Sequence, residues 1–297
     1  MFLYVGTSKG LYKYNLIKKK QIIIFGNWHK GIFKKPSKGV FGICKDFDKN
    51  ILVAASRERL TTNHSYKKST DTILHFYDPK RNLIIDKVTL NNIYDIHQIC
   101  YFNNKIYITD TGNNRIQIYN IETKKIESSI NIGKIRNNLN HVNAIYVDKN
   151  EILIGLNNGN KDNFQNSQII KLNTSTITFN DFDALEHGKI INLSNIYHTH
   201  DIENIDNDYL ISASDDGNLI SLNMNKSIKS LPIWTRGISK NQEHIFVGKS
   251  GIASRQLRHS RYYDGMISVL DRKNLDLIEE LNIPKIGQLN EILYYDE

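Results

Sequence analysis

The chain has 297 residues, of which 40% are hydrophobic, 10% aromatic and 24% charged; this composition excludes a disordered polymer and supplies a sizeable core. Its formal net charge of +8 would suit a nucleic acid if the bases were clustered, but Lys and Arg are spread through turns, so neither nucleic acid nor membrane is the expected partner. The short runs Lys18 to Lys20 and Lys34-Lys35 read as solvated turns.

Phe2 to Val5 already has the pattern of a folded strand, with no secretory leader before it, and no apolar run is long enough to span a bilayer. The expected location is therefore cytoplasmic. Cys44 and Cys100 each follow an isoleucine in an apolar stretch and read as small core residues rather than as a disulfide framework.

In chain order, three strands come first, Phe2 to Gly6, Leu11 to Asn15 and Gln21 to Phe25. A repeating unit follows. Each unit has an inner strand marked by an isoleucine (Ile43, Ile99, Ile145, Ile202, Ile238, Ile292), then a polar turn and a second apolar run such as Ile51 to Ala54 or Ile152 to Ile154. The third strand of each unit ends in an aromatic or leucine followed by Asn or Asp. It appears as Tyr14-Asn15, Tyr77-Asp78, Tyr119-Asn120, Leu172-Asn173, Leu222-Asn223 and Leu270-Asp271, at separations of roughly 40 to 60 residues. That period is one four-stranded propeller blade, and the Asn or Asp closes the hairpin by an Asx turn.

After Ile292 the chain stops without a partner for its last inner strand, whereas the N-terminal strands lack an inner one. The two ends therefore share a blade, with residues 2–25 completing the blade begun by 288–295. The expectation is one all-β domain over 1–297, a six-bladed β-propeller of four-stranded antiparallel blades.

The segment Tyr107-Ile-Thr-Asp110-Thr-Gly112-Asn-Asn114-Arg115-Ile-Gln-Ile-Tyr resembles the core of an NHL-type repeat, and the whole resembles the NHL and SMP-30-like six-bladed propellers. His141-Val-Asn-Ala-Ile is similar to inner strands of function-unassigned bacterial propellers. The resemblance implies lyases or hydrolases with axial histidine or metal sites. The Glu and Asn/Asp pattern of an SMP-30 calcium site is not present.

Four stretches exceed the repeat: 27–38, 57–70, 249–263 and, by less, 184–196. In the meander they fall on one face, and elaborated loops are where binding usually sits.

Aligned on their isoleucines, the inner strands carry two polar positions on that face. The outer one reads Gly39, Asp95, His141, His198, Trp234 and Gln288; the inner one reads Phe41, His97, Asn143, His200, Arg236 and Asn290. Residues two apart in a strand project to one side, so the expectation is two rings around the channel mouth. Imidazoles and a carboxylate converging on an axis suit a divalent metal, with His97, His141, His198 and His200 as ligands and Asp95 or Gln288 in support. Such a metal would polarise a substrate oxygen or activate water.

Arg236 is suited to a carboxylate or phosphate. Lys249, Arg255, Arg258, His259 and Arg261, with Arg57, Arg59 and His64, would make the mouth electropositive. Asp110 and Asn113 are placed in the NHL-like loop near the mouth, and Asp215-Asp216-Gly217 reads as a hairpin turn.

The expected function is a small-molecule site that binds or transforms an anionic or polyhydroxylated ligand at a His-rich, metal-assisted centre of lyase or hydrolase type. His97, His141, His198, His200 and Arg236 form its catalytic set; Asp95, Asn143, Trp234, Gln288, Asn290, Arg57, Arg255, Arg258 and His259 are its substrate contacts. The alternative is a non-catalytic scaffold presenting Trp28, Phe33, Tyr262 and Tyr263 to another protein.

Overall fold

The computed structural model describes residues 1–26, 37–59, 72–133, 140–157, 159–160, 163–164, 166–176, 182–214, 217–231, 234–251 and 264–296. These residues form six four-stranded antiparallel blades in a ring. From the inner strand outward, the first blade comprises Ser37–Asp46, Ile51–Arg59, Thr72–Asp78 and Leu83–Leu90; the second comprises Ile99–Phe102, Lys105–Asp110, Arg115–Asn120 and Lys125–Asn131. The third is Val142–Val147, Glu151–Leu156, Gln168–Asn173 and Lys189–Asn192, and the fourth Thr199–Ile205, Asp208–Ala213, Asn218–Ser221 and Lys226–Ser230. The fifth is Trp234–Lys240, His244–Ser250, Gly265–Asp271 and Leu277–Ile283. In the sixth, the C-terminal strand Leu289–Tyr295 is innermost and pairs with Phe2–Thr7, followed by Gly10–Asn15 and Lys20–Gly26.

Side-chain alternation turns these sheets into a closed body. In Phe2–Thr7, Leu3 and Val5 pack with Phe246 and Ile267 of the fifth blade, while Tyr4 packs with Val40 and Leu52 of the first. The same period of two works around the ring. Each buried apolar cluster therefore fills the space between two neighbouring blades, and the cluster between the fifth and sixth is as continuous as the others. The terminal clasp expected from the repeat arithmetic is present. Cys44 is buried, Cys100 half-buried, and both thiols are free; burial pushes the Cys100 thiol up to about 12 and the Cys44 thiol well above its ordinary value.

The excess at 184–196 differs from the expectation of mouth decoration. It holds one helical turn, Ala184–His187, and the outermost strand of the third blade, Lys189–Asn192. Just before it, Phe182–Asp183 adds a parallel fifth strand to the second blade, and the Asp183 carboxylate accepts from Gly133 N at 3.0 Å and Leu185 N at 2.9 Å. The extra length ties two blades at their outer edges. Most of the other three long stretches lies outside the described residues, as do Trp28, Phe33, Tyr262, Tyr263, Asp215 and Asp216.

Candidate functional site at the axial mouth

The inner strands do not enter the ring as regular ladders. In five of them the pairing register skips at one place, and the skipped position is Phe41, Asn143, His200, Arg236 (with Gly237) or Asn290. Each is the inner-ring residue of its blade. A β-bulge leaves one residue outside the ladder and redirects its side chain, so the backbone itself aims this ring. In the second blade a side chain does the same work. Thr109 Oγ1 accepts from both His97 N at 3.0 Å and Gln98 N at 2.9 Å, and regular pairing begins only at Ile99.

The outer positions are built differently from the simple two-apart expectation. Asp95, His141 and His198 have φ of 56°, 46° and 56°, and they precede the strands rather than belonging to them. Asn, Asp and His tolerate this left-handed conformation better than other side chains, so part of the polar character of the outer ring answers a backbone requirement. His198 is held in place by its own N–H donating to Asn157 Oδ1 at 2.9 Å and by its carbonyl accepting from Ser214 N at 3.0 Å.

The NHL-like loop supports the second blade's entry. Asp110 is fully buried; it accepts from Tyr94 N at 2.8 Å and pairs with Arg115 Nε at 2.7 Å, while Asn113 Nδ2 donates to it. Gly112 N donates to Tyr94 O at 2.9 Å, and a Cβ at Gly112 would lie 2.7 Å from the Tyr94 Cβ. Asp110 and Asn113 are thus committed to holding the chain just before Asp95, rather than facing a ligand.

The inner ring gathers as follows. The His97 ring lies edge-on to His141 with centroids 5.2 Å apart, is 5.7 Å from the His200 ring, and is 6.5 Å from Phe41. Asn143 Nδ2 approaches His200 Nε2 at 3.5 Å. Arg236 Nη1 donates to Asn290 Oδ1 at 3.4 Å, and its guanidinium lies 4.9 Å from the Trp234 ring; Asn290 Nδ2 in turn donates to Val40 O at 3.0 Å.

Arg57, expected as an exposed loop base, is only 1% exposed; it forms an ion pair with Asp95 and stacks 3.8 Å over Phe41. It is a second cation at the mouth beside Arg236, and Asp95 Oδ2 also lies 3.8 Å from His97 Nε2. Lys249 is not a mouth base: it is buried within its strand and paired with Glu280. Arg255, Arg258, His259, Arg261, His64 and the Arg59 side chain lie outside the described residues.

Burial, and then the charge of Arg236, holds His200 well below the usual imidazole range, so its ring is neutral at physiological pH. Its Nδ1 sits 2.7 Å from Ser214 Oγ and 2.9 Å from His198 O. Among the described residues, no three His, Cys, Asp or Glu side chains are grouped as a metal ion requires. His97, His141 and His200 instead meet ring to ring, and one nitrogen of His200 is already engaged.

Sequence reasoning passed over the next residue inward on each strand. Gln98, Asp201 and Glu291, each one position before the marker isoleucine, are all buried. An innermost strand turns a row of unpaired N–H groups toward the axis, and each needs an acceptor. Gln98 Oε1 accepts from Ile145 N at 2.7 Å; Asp201 accepts from Ile202 N at 2.8 Å and also from Ile238 N; Glu291 Oε1 accepts from Ile292 N at 3.0 Å. Gln98 Nε2 also donates to Asp201. At the same level Gly42 and Gly237 let strands come close, because a Cβ would lie 2.6 Å from Ile99 N and 2.7 Å from Ile292 N. This polar layer forms the floor of the mouth. Two acidic residues in inner strands were the available signal.

The chain is a six-bladed β-propeller that carries one match to the NHL repeat. Residues 94–119, the segment that positions Asp95 and His97, match the NHL repeat. Among solved structures, a chain of a nidogen/laminin complex superposes with a TM-score of 0.64 at 10% identity, over 98% of this chain and 97% of that one. A protein of unknown function from Bacteroides caccae superposes with a TM-score of 0.61 at 12% identity, over 100% and 99%. At such identities the likeness concerns the fold. No curated protein matches the chain in sequence.

Proposed function

We propose that the axial mouth is a binding site for a small anionic molecule. The observation that carries this reading is Arg236, 8% exposed, placed on a bulge with its guanidinium held by Asn290 and Trp234 beside the neutral His200. A preorganised guanidinium in a largely desolvated recess favours a carboxylate or phosphate, since its rotamer is already fixed and water screens it little. Further support comes from two buried amide atoms without a hydrogen-bond partner among the described residues, Asn143 Oδ1 and Gln288 Nε2. Buried polar groups are normally satisfied, so these are places for ligand atoms or ordered water.

Recognition in this reading proceeds by direct hydrogen bonds and charge pairing, and elemental analysis of tag-free protein measures whether a divalent metal contributes. The test of binding is a thermal-shift series with small carboxylates and phosphates on wild type and Arg236→Gln. Stabilisation of wild type that is absent in the variant supports the site. Equal shifts in both proteins, or none in either, favour a scaffold that works through its faces.

A further inference from the structure

The hydrogen bonds around His200 fix which of its nitrogens carries the proton. Ser214 Oγ has one hydrogen to give and lies 2.6 Å from Thr235 O, a carbonyl that only accepts. The serine proton is therefore committed to Thr235, and Ser214 Oγ meets His200 Nδ1 as an acceptor at 2.7 Å. The other neighbour of Nδ1, His198 O at 2.9 Å, also only accepts. A bare Nδ1 would leave lone pairs facing one another at both contacts. Nδ1 must carry the hydrogen, and in a neutral ring Nε2 is then an unprotonated acceptor.

That nitrogen lies on the Asn143 side of the mouth, 3.5 Å from Asn143 Nδ2, where Asn143 Oδ1 is a second acceptor, fully buried and without a partner among the described residues. The neighbouring fifth and sixth blades contribute donors: the Arg236 guanidinium and Gln288 Nε2, the latter also unpartnered among the described residues in a side chain 4% exposed. Acceptors are set on one side of the mouth and donors on the other.

We infer that this division selects a hydroxy acid, its anionic group on Arg236 and Gln288 and a hydroxyl donating to Asn143 Oδ1, the amide that His200 Nε2 orients by accepting from Asn143 Nδ2. This rests on the anion-binding reading above and adds the requirement for a donor on the ligand. Asn143 acts as the specificity-determining residue, with His200 as the positioning residue that turns its Oδ1 toward the ligand and Ser214 setting the His200 tautomer. An acid lacking hydroxyls would leave the buried Asn143 Oδ1 unmatched, which is the kind of mismatch a polar site rejects strongly.

Two measurements test it. A long-range nitrogen–proton correlation spectrum of 15N-labelled wild-type protein near neutral pH, with His200 assigned by its loss in His200→Gln, reads the tautomer directly. A protonated Nδ1 and bare Nε2 are expected; the opposite tautomer, or an imidazolium, overturns the inference whatever the ligand is.

The second measurement compares thermal shifts from gluconate, galacturonate, lactate and glycolate with those from hexanoate and propionate. Expected is stabilisation by at least one hydroxy acid and not by the plain acids, lost in Arg236→Gln and reduced at least tenfold in affinity in Asn143→Leu. Equal stabilisation by hydroxylated and plain acids overturns the hydroxyl requirement while leaving the anion site standing. Absence of any shift removes both.

Discussion

Asp201 and Glu291, from the fourth and sixth blades, share a hydrogen bond beneath the mouth, where both side chains are buried. Burial pushes Asp201 up to about 6 and Glu291 well above its ordinary value; the Asp201 charge raises Glu291 further, whereas the hydrogen bond from Glu291 lowers Asp201, so the pair retains a proton, on Glu291, near neutral pH. Both groups therefore bind protons more tightly folded than unfolded. Their contribution to stability is fully present below the unfolded carboxyl values near ~4 and is lost as pH rises through about 6 and beyond, by about 1.4 kcal/mol per pH unit for each proton.

Glu291→Gln keeps an acceptor for Ile292 N and supplies a donor to Asp201 without a proton to lose. The variant should lose less stability than wild type between pH 5 and 8, on the order of 1–3 kcal/mol less. Denaturant unfolding of both proteins across that range measures the difference, and parallel curves would remove the shared proton from the account.

Closure of the ring by the last strand makes its own prediction. Leu289, Ile292 and Tyr295 are almost fully buried, and Leu289–Tyr295 lies between Phe2–Thr7 and the axis. Each such side chain contributes about 1.5–3 kcal/mol, and removal also bares the edge of Phe2–Thr7. Deleting residues 288–297 should abolish cooperative thermal unfolding, since the loss approaches the ~5–15 kcal/mol of a typical domain. A truncated protein with an unchanged melting temperature would refute the clasp.

The floor predicts an asymmetry between glycines. Gly237 has φ of 76° and a Cβ there would meet Ile292 N at 2.7 Å; Gly133 has φ of 75° but its nearest neighbour is the Leu185 side chain at 3.2 Å. Gly237→Ala should cost about 2–4 kcal/mol, from backbone strain and overpacking together, and Gly133→Ala about 1 kcal/mol from strain alone. Chemical denaturation of the two variants gives the comparison; similar costs would mean the strands are not closely packed at the axis.

Thr109 offers a test of how the NHL-like segment serves the site. Its hydroxyl accepts from His97 N and Gln98 N and donates to Gln98 O at 3.0 Å, so Thr109→Val leaves two buried N–H groups without that acceptor. The expected cost is about 1–3 kcal/mol of stability, accompanied by a chemical-shift change at the His97 ring. A variant as stable as wild type with an unmoved His97 resonance would contradict the positioning role.

The fold was legible because its determinants are local and repeated. Isoleucines at the inner strands, Asn or Asp at the third-strand turns and the unmatched ends required six blades and a clasp, and all are present. The inner-ring residues were legible too, as polar side chains where a core strand should be apolar. Their geometry was not, because a β-bulge at His200 or Arg236 has no signature in a period-two pattern.

The floor of the mouth escaped for a related reason. Gln98 and Asp201 answer the demand of axial N–H groups from neighbouring strands, Ile145 N and Ile238 N, and that demand exists only once the ring is closed. Arg57 looked like one more basic loop residue until the first and second blades placed Asp95 beside it. Lys249 looked the same and belongs to the interior of its own blade.

The central claim is that the mouth is an anion site centred on Arg236. Anomalous diffraction from a crystal soaked in bromide tests it directly, because a halide probes the guanidinium whatever the natural ligand is. The account predicts a bromide peak within contact distance of the Arg236 guanidinium, on the Gln288 side and away from His200 Nε2. A mouth free of bromide, with peaks confined to surface lysines, would contradict it.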